Sequence, residues 1–263
     1  MGEAGIQSDV TGHSAKTESI YLYGFVRPEH PLVLSEPGVT GEVAEIRAGD
    51  VSALVGRVGE GSLRGDRRSL TAHNRVLGEA MSAGPVLPMQ FGVVLPDQDT
   101  LVSEVLDACR EEINSLFRRI EGKAELNVKA LCVEDVAIAD LVQEDESIRS
   151  RRDAMRGLPD DATYFERIEL GKAVAAALDE KKAKWAATIL ARLAPLADEY
   201  SVSERGAQSL VLNASFLVHK EAMDDFERAV SAAGQELGES IHIKLTGPLA
   251  PYSFVSMRLP VKA

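Results

Sequence analysis

The residues able to do chemistry are few and scattered. Of the five histidines, His13, His30, His73, His219 and His242, no two lie at a metal-ligand spacing. His73 falls on a helix face and an imidazole there could act as a base, but no acid stands beside it, so it reads as a core or surface histidine. Cys109 and Cys132 form no Cys-x-x-Cys and adjoin no histidine cluster; each reads as a small apolar filler. The carboxylate pairs Asp160-Asp161 and Asp224-Asp225 fall at a loop and a helix start, where capping accounts for them, as it does for Asp97 and Asp99. The segment Gly56-Arg-Val-Gly-Glu-Gly-Ser-Leu-Arg-Gly65 comes nearest to a phosphate loop, yet it lacks the lysine and the helix start that would cradle a phosphate. Arg149, Arg151, Arg152 and Arg156 alternate with Glu144, Asp145, Glu146 and Asp153, which makes a solvated helix rather than a basic binding patch. No GxxxxGK[ST], strand-linked GxGxxG, GxSxG or HExxH occurs. With no nucleophile, base and oxyanion donor assembled, the sequence reads as no enzyme, with no catalytic residue, cofactor or metal site.

Composition narrows the classes further. The 263 residues suffice for two domains, and the 45% hydrophobic and 27% charged content is that of a globular chain. A net charge of −12 opposes attraction to nucleic acid and to anionic membrane, and 5% aromatic residues leave little for base stacking. Two cysteines without a disulfide pattern fit a reducing cytoplasm. The start has neither a basic nor an apolar leader region, and no uncharged apolar run nears the roughly 20 residues that span a bilayer. A soluble, intracellular protein is expected.

Residues 1–18 are small, polar and aperiodic, and read as a disordered tail. A strand is predicted at Ile20–Val26, ended by Pro28 and Pro31, and a hairpin joins 42–46 to 51–58 through Gly49-Asp50. Residues 59–65 read as a loop. A helix over 69–81 turns Leu70, His73, Leu77, Ala80 and Met81 to one side, with Ser69 or Thr71 as N-cap. Pro88 then confines the strand around 86–95 to an edge or a bulge. Leu101, Val105, Cys109, Ile113, Leu116 and Ile120 recur at helical spacing after an Asp97 or Asp99 cap, and Gly122 stops that helix. Beyond it come a strand at 125–133, a charged helix within 143–161, and a long helix over 163–198 with Phe165, Ile168, Val174, Leu178, Trp185, Ile189 and Leu193 facing inward. A strand at 207–218, a helix at 221–237, a strand at Ile241, Ile243 and Leu245 ended by Gly247-Pro248, and an extended run over 251–257 complete the chain. The order implies an α+β fold of two domains: 19–121, and 122–263 as a ferredoxin-like unit with a helical arm and a docked C-terminal tail.

At four places the sequence resembles the gas vesicle protein F/L family (GvpF/GvpL). Tyr21-Leu-Tyr-Gly-Phe-Val26 is similar to its opening strand, with Tyr23 and Gly24 at the motif positions. Val86-Leu-Pro-Met-Gln-Phe-Gly92 matches a Val-Leu-Pro-x-x-Phe-Gly segment through Leu87, Pro88, Phe91 and Gly92. Leu212-Asn-Ala-Ser-Phe-Leu-Val218 carries Asn213, and Thr246-Gly-Pro-Leu-Ala-Pro-Tyr-Ser-Phe254 carries Gly247, Pro248, Pro251, Tyr252 and Phe254. The chain departs from the family at Leu249-Ala250, where an aromatic is frequent, and at Met89-Gln90. These motif residues are read mainly as fold determinants: glycines for close approach, prolines for turns, aromatics for burial.

The resemblance implies an accessory or minor structural protein of the gas vesicle. It implies binding to the small hydrophobic shell subunit, work beside other gas vesicle accessory proteins in assembly, and no catalysis, nucleic acid or membrane. The alternative is an enzyme or small-molecule-sensing module on a ferredoxin-like sheet. Because prolines mark 21–26 and 86–95 as sheet edges, the shell subunit is expected at the N-terminal half, with the charged 143–161 region as the competing surface.

Overall fold

The computed structural model describes residues 18–29, 33–59, 63–203 and 206–259. Residues 1–17 of the tail read over 1–18, Pro31 and part of the 59–65 loop lie outside the described residues.

The first half is built on β1 (Ile20–Val26), whose seven residues are all buried. It is not an edge, as its proline flank suggests, but the centre of a sheet. On one side it pairs with β3 (Val51–Arg57), and on the other with β4 (Val86–Pro88) and β5 (Val94–Leu95). β2 (Val43–Ala48) lies outside β3, joined to it by Gly49 at φ 66°, the left-handed conformation that hairpin requires. All these pairs are antiparallel. Pro88 ends β4 opposite Gly24, and β4 stands at the end of the strand order β2-β3-β1-β4, the edge position its proline implies, as a strand of only three residues that is fully buried.

Both faces of this sheet are covered. α1 (Arg67–Ala83) buries His73, Val76, Leu77 and Ala80 against Tyr21, Tyr23 and Leu54. Its N-cap is Asp66, which accepts from the Ser69 amide at 2.8 Å, so the helix starts earlier than Ser69 and leaves Leu70 exposed. On the opposite face, α2 (Gln98–Thr100) is capped by Asp97. The run widens to π geometry over Leu101–Asp107 and ends as α3 (Arg110–Ile120). Leu101, Val105, Ile113, Phe117 and Ile120 pack there on Ile20, Leu22, Phe25 and Val55.

The second half follows the order β6 (Lys123–Cys132), α4 (Glu134–Glu144), α5 (Glu146–Ala154), α6 (Tyr164–Leu193), β7 (Glu199–Val202), β8 (Leu210–His219), α7 (Met223–Leu237) and β9 (Ile241–Leu249). Its antiparallel sheet runs β7-β8-β6-β9. β7 follows the long helix expected to reach 198 and is not among the expected strands: Glu199-Tyr-Ser-Val202 alternates polar and apolar, but four residues are too short a run to read as a strand. Leu126, Val128, Ala130, Leu212, Ala214, Phe216 and Val218 share one face and meet Trp185, Ile189 and Leu193 of α6 and Phe226 and Val230 of α7. α6 has 30 residues, about 45 Å at 1.5 Å per residue, longer than the sheet it crosses. Its first turns therefore overhang, and Phe165 and Ile168, expected inside, are 76% and 40% exposed. β9 runs through the cis Gly247-Pro248 bond to Leu249 instead of ending before it.

The run after β9 is not extended throughout. Phe254 and Val255 donate backbone hydrogen bonds to the Pro251 carbonyl, forming a turn. Val255, Met257 and Leu259 then pack on the core of the first half.

Candidate functional site

Three of the four family segments converge on one buried imidazole. β1 carries Tyr21 and Tyr23 on the face towards α1, and α1 places His73 there, fully shielded from solvent. The His73 Nε2 lies 3.1 Å from the Met89 carbonyl, which only accepts, so Nε2 holds the proton. Nδ1 is then an acceptor, and the Tyr21 hydroxyl donates to it at 2.7 Å. The same hydroxyl accepts from the Gly92 amide at 3.3 Å. One chain of hydrogen bonds thus hooks both ends of Met89-Gln-Phe-Gly92 to β1 and α1.

Rings enclose this chain. Tyr23 stacks on His73 at 5.5 Å between centroids, Phe91 stands edge-on to His73 at 5.8 Å, and Tyr252 reaches it at 6.4 Å. The Tyr23 hydroxyl accepts from the Val39 amide at 2.6 Å, and the Tyr252 hydroxyl donates to Asn74 at 3.2 Å. Burial pushes the Tyr21 phenol up to about 12 and holds the His73 imidazole below its ordinary value, so both stay neutral near pH 7. With both nitrogens occupied and no path to solvent, His73 is a structural hub and is not available as a base.

The glycines and prolines of the motifs have local causes. A Cβ on Gly24 would stand 2.4 Å from the Leu87 carbonyl, so only glycine lets β1 and β4 approach this closely. Leu87 is buried opposite Phe25 in the same pair of strands. Gly92 turns the chain at φ 96°. A Cβ on Gly247 would meet Leu126 Cδ2 at 2.6 Å, where β9 crosses β6. Pro248 follows it in β9, and Pro251 is buried at the start of the turn. Phe254 is buried, whereas Tyr252 is about one-third exposed. Asn213 is not part of this cluster: it accepts from Asn127 at 3.1 Å on the other sheet.

Glu125 is the residue the sequence reading missed. It sits on the supposedly solvated side of β6, yet it is buried and accepts from the Ser253 amide at 2.8 Å and the Ser253 hydroxyl at 2.7 Å. Strand alternation could not reveal this, because the tail that covers Glu125 arrives from 128 residues away. Arg119 adds a second tie, donating to Glu199 at 2.7 Å and to the Phe254 carbonyl at 3.1 Å.

Among the described residues no group of three or more His, Cys, Asp or Glu could hold a metal ion. Burial raises both thiols, Cys109 and Cys132, above their ordinary value, which keeps them from being reactive thiolates. No described helix is long and apolar enough to cross a membrane. The chemistry of these motifs is that of packing and hydrogen bonding.

Comparison with known proteins gives the family. Residues 19–256 match the family model described as gas vesicle synthesis protein GvpL/GvpF. Gas vesicle protein F of Streptomyces sp. (strain CB03234) is 35% identical over 242 residues, spanning 90% of this chain and 99% of the relative. Gas vesicle protein F of Dolichospermum flosaquae is 26% identical over 241 residues, 90% of this chain and 98% of that one. The crystal structure of GvpF from Anabaena sp. PCC7120 superposes with a TM-score of 0.78 at 24% identity, covering 92% of this chain and all of the other. That of GvpF from Microcystis aeruginosa gives 0.72 at 24% identity, covering 91% and 99%. These two establish the fold, α+β. The family match over residues 19–256 and a relative 35% identical over nearly its whole length place the protein in the gas vesicle GvpL/GvpF family, which is not a family of enzymes.

Proposed function

We propose that this chain binds the small hydrophobic shell subunit of the gas vesicle and supports vesicle assembly together with other accessory proteins, acting at the vesicle in the cytoplasm. A shell subunit is apolar on its gas-facing side and needs shielding before it assembles. The observation that carries the reading is the free flank of β2. Among the described residues this strand pairs with β3 alone, which leaves a row of backbone groups open to an incoming segment. Beside it lies a groove of about 580 Å³ lined by the apolar Ile20, Ala44, Ile46 and Val55 together with polar and charged residues such as Glu42, Arg57 and Asp97. The expected place in the N-terminal half is kept but moves from β1, which is central, and β4, an edge strand of three buried residues, to β2, whose six residues are partly exposed.

The strand order β7-β8-β6-β9 supports reading the second half as a ferredoxin-like unit, with α4 and α5 as its arm. Separate apolar clusters on the two sheets support a junction near 121–125, with the tail after Leu249 crossing back to brace the first half. The test is a titration of shell subunit against the full chain at low and high salt. Apolar and backbone contacts persist at 1 M salt, where the Debye length is about 3 Å. Ala44→Lys, at an exposed position on β2, is expected to weaken binding without lowering the melting temperature. Loss of binding in high salt, or full binding by Ala44→Lys, refutes the placement.

A further inference from the structure

We propose that the elbow between α5 and α6 is a self-association surface that takes a second copy of this chain. Leu158, Tyr164, Phe165 and Ile168 are 51%, 60%, 76% and 40% exposed here, a cluster of large apolar side chains that a lone soluble surface rarely presents. Tyr164 and Phe165 brace each other edge-on at 5.4 Å, so the two rings form a fixed knob. Phe165 also lines one side of a groove of about 460 Å³, together with Met155, Leu158 and Ala162. Knob and groove thus lie side by side on one patch, as a two-fold contact requires.

The charges select the occupant. The chain carries −12, so two copies repel over most of their surface. Residues 149–169 are an exception, because Arg149, Arg151, Arg152, Arg156 and Arg167 balance Asp153, Asp160, Asp161, Glu166 and Glu169. The balance is also segregated: Arg151 stands on the α5 wall of the groove, and Glu166 and Glu169 stand on the α6 wall. A two-fold axis through the elbow lays each basic wall against the partner copy's acidic wall while the Phe165 knob enters the facing groove. An all-apolar or singly charged partner would leave one of these walls uncompensated.

The experiment is sedimentation equilibrium on the full chain up to roughly 100 μM, where a micromolar Kd is readable. The weight-average mass is expected to rise from 28.3 kDa towards twice that value. Phe165→Ser, at an exposed position that folding does not depend on, is expected to weaken the association at least tenfold. Arg151→Glu and Glu166→Arg are each expected to weaken it, and the double variant to restore it, which a loss through misfolding could not do. A wild-type chain that stays at 28.3 kDa, a Phe165→Ser variant that associates as before, or a double variant as weak as the singles overturns the proposal.

Discussion

Replacing Tyr21 by Phe removes one oxygen from the centre of the motif cluster and nothing else. The ring stays, so no cavity opens, and the entire effect falls on hydrogen bonding. Two groups lose their partner: His73 Nδ1, bonded at 2.7 Å in full burial, and the Gly92 amide, held at 3.3 Å. A buried acceptor left without a donor costs about 1–3 kcal/mol. His73 cannot escape by changing tautomer, because Nε2 must keep its proton for the Met89 carbonyl. The Gly92 bond is long and contributes little. The expected loss is about 2 kcal/mol, which at roughly 2–4 °C per kcal/mol lowers the melting temperature by about 4–8 °C. The assay is thermal and urea unfolding of four proteins: wild type, Tyr21→Phe, His73→Leu and the double variant. In the His73→Leu background the acceptor is gone, so Tyr21→Phe should cost about 1 kcal/mol less than in the wild type. Equal costs in the two backgrounds, within the roughly 0.5 kcal/mol of ordinary additivity, would show that the hydroxyl does not hold the imidazole and would refute the hub.

Because burial depresses the His73 pKa below the ordinary imidazole value of about 6.5, the unfolded chain takes up a proton on acidification before the folded one does. Stability is therefore full above about pH 6.5 and falls below it by up to about 1.4 kcal/mol per pH unit. Urea midpoints measured across that range should lose this slope in His73→Gln. Gly24→Ala drives a Cβ into the Leu87 carbonyl, a backbone atom that no rotamer change can move, and should cost about 3 kcal/mol. Faster hydrogen exchange at the Met89 amide, which donates to Tyr23 across the same strands, is the local check. Phe254→Ala should cost about 3–4 kcal/mol and Tyr252→Ala about 1 kcal/mol, since only the former is buried. Melting temperatures unchanged from the wild type in both variants would contradict the docking of the tail.

The sequence determined whatever depends on neighbours within a few residues. The hairpin at Gly49-Asp50, the strand at Ile20–Val26, the amphipathic run ending at Ile120 and, in the second half, β6, the long α6, β8, α7 and β9 follow from turn chemistry and periodicity, whereas α4 and the four-residue β7 do not. The family motifs were legible as well, since residue identity alone carries them. What the sequence could not supply is which side of an element is covered, for that depends on chain segments far away. Ile20–Val26 borders prolines and resembles an edge, but β4 returns from sixty residues later and makes it central. His73 looks like an isolated imidazole until β1 brings Tyr21 to 2.7 Å across 52 residues. Phe165 and Ile168 keep the inward period of α6, yet they lie beyond the end of the sheet, so the same periodicity produces an exposed patch. Periodicity fixes a direction around an axis; only the tertiary structure decides whether anything is there to meet it.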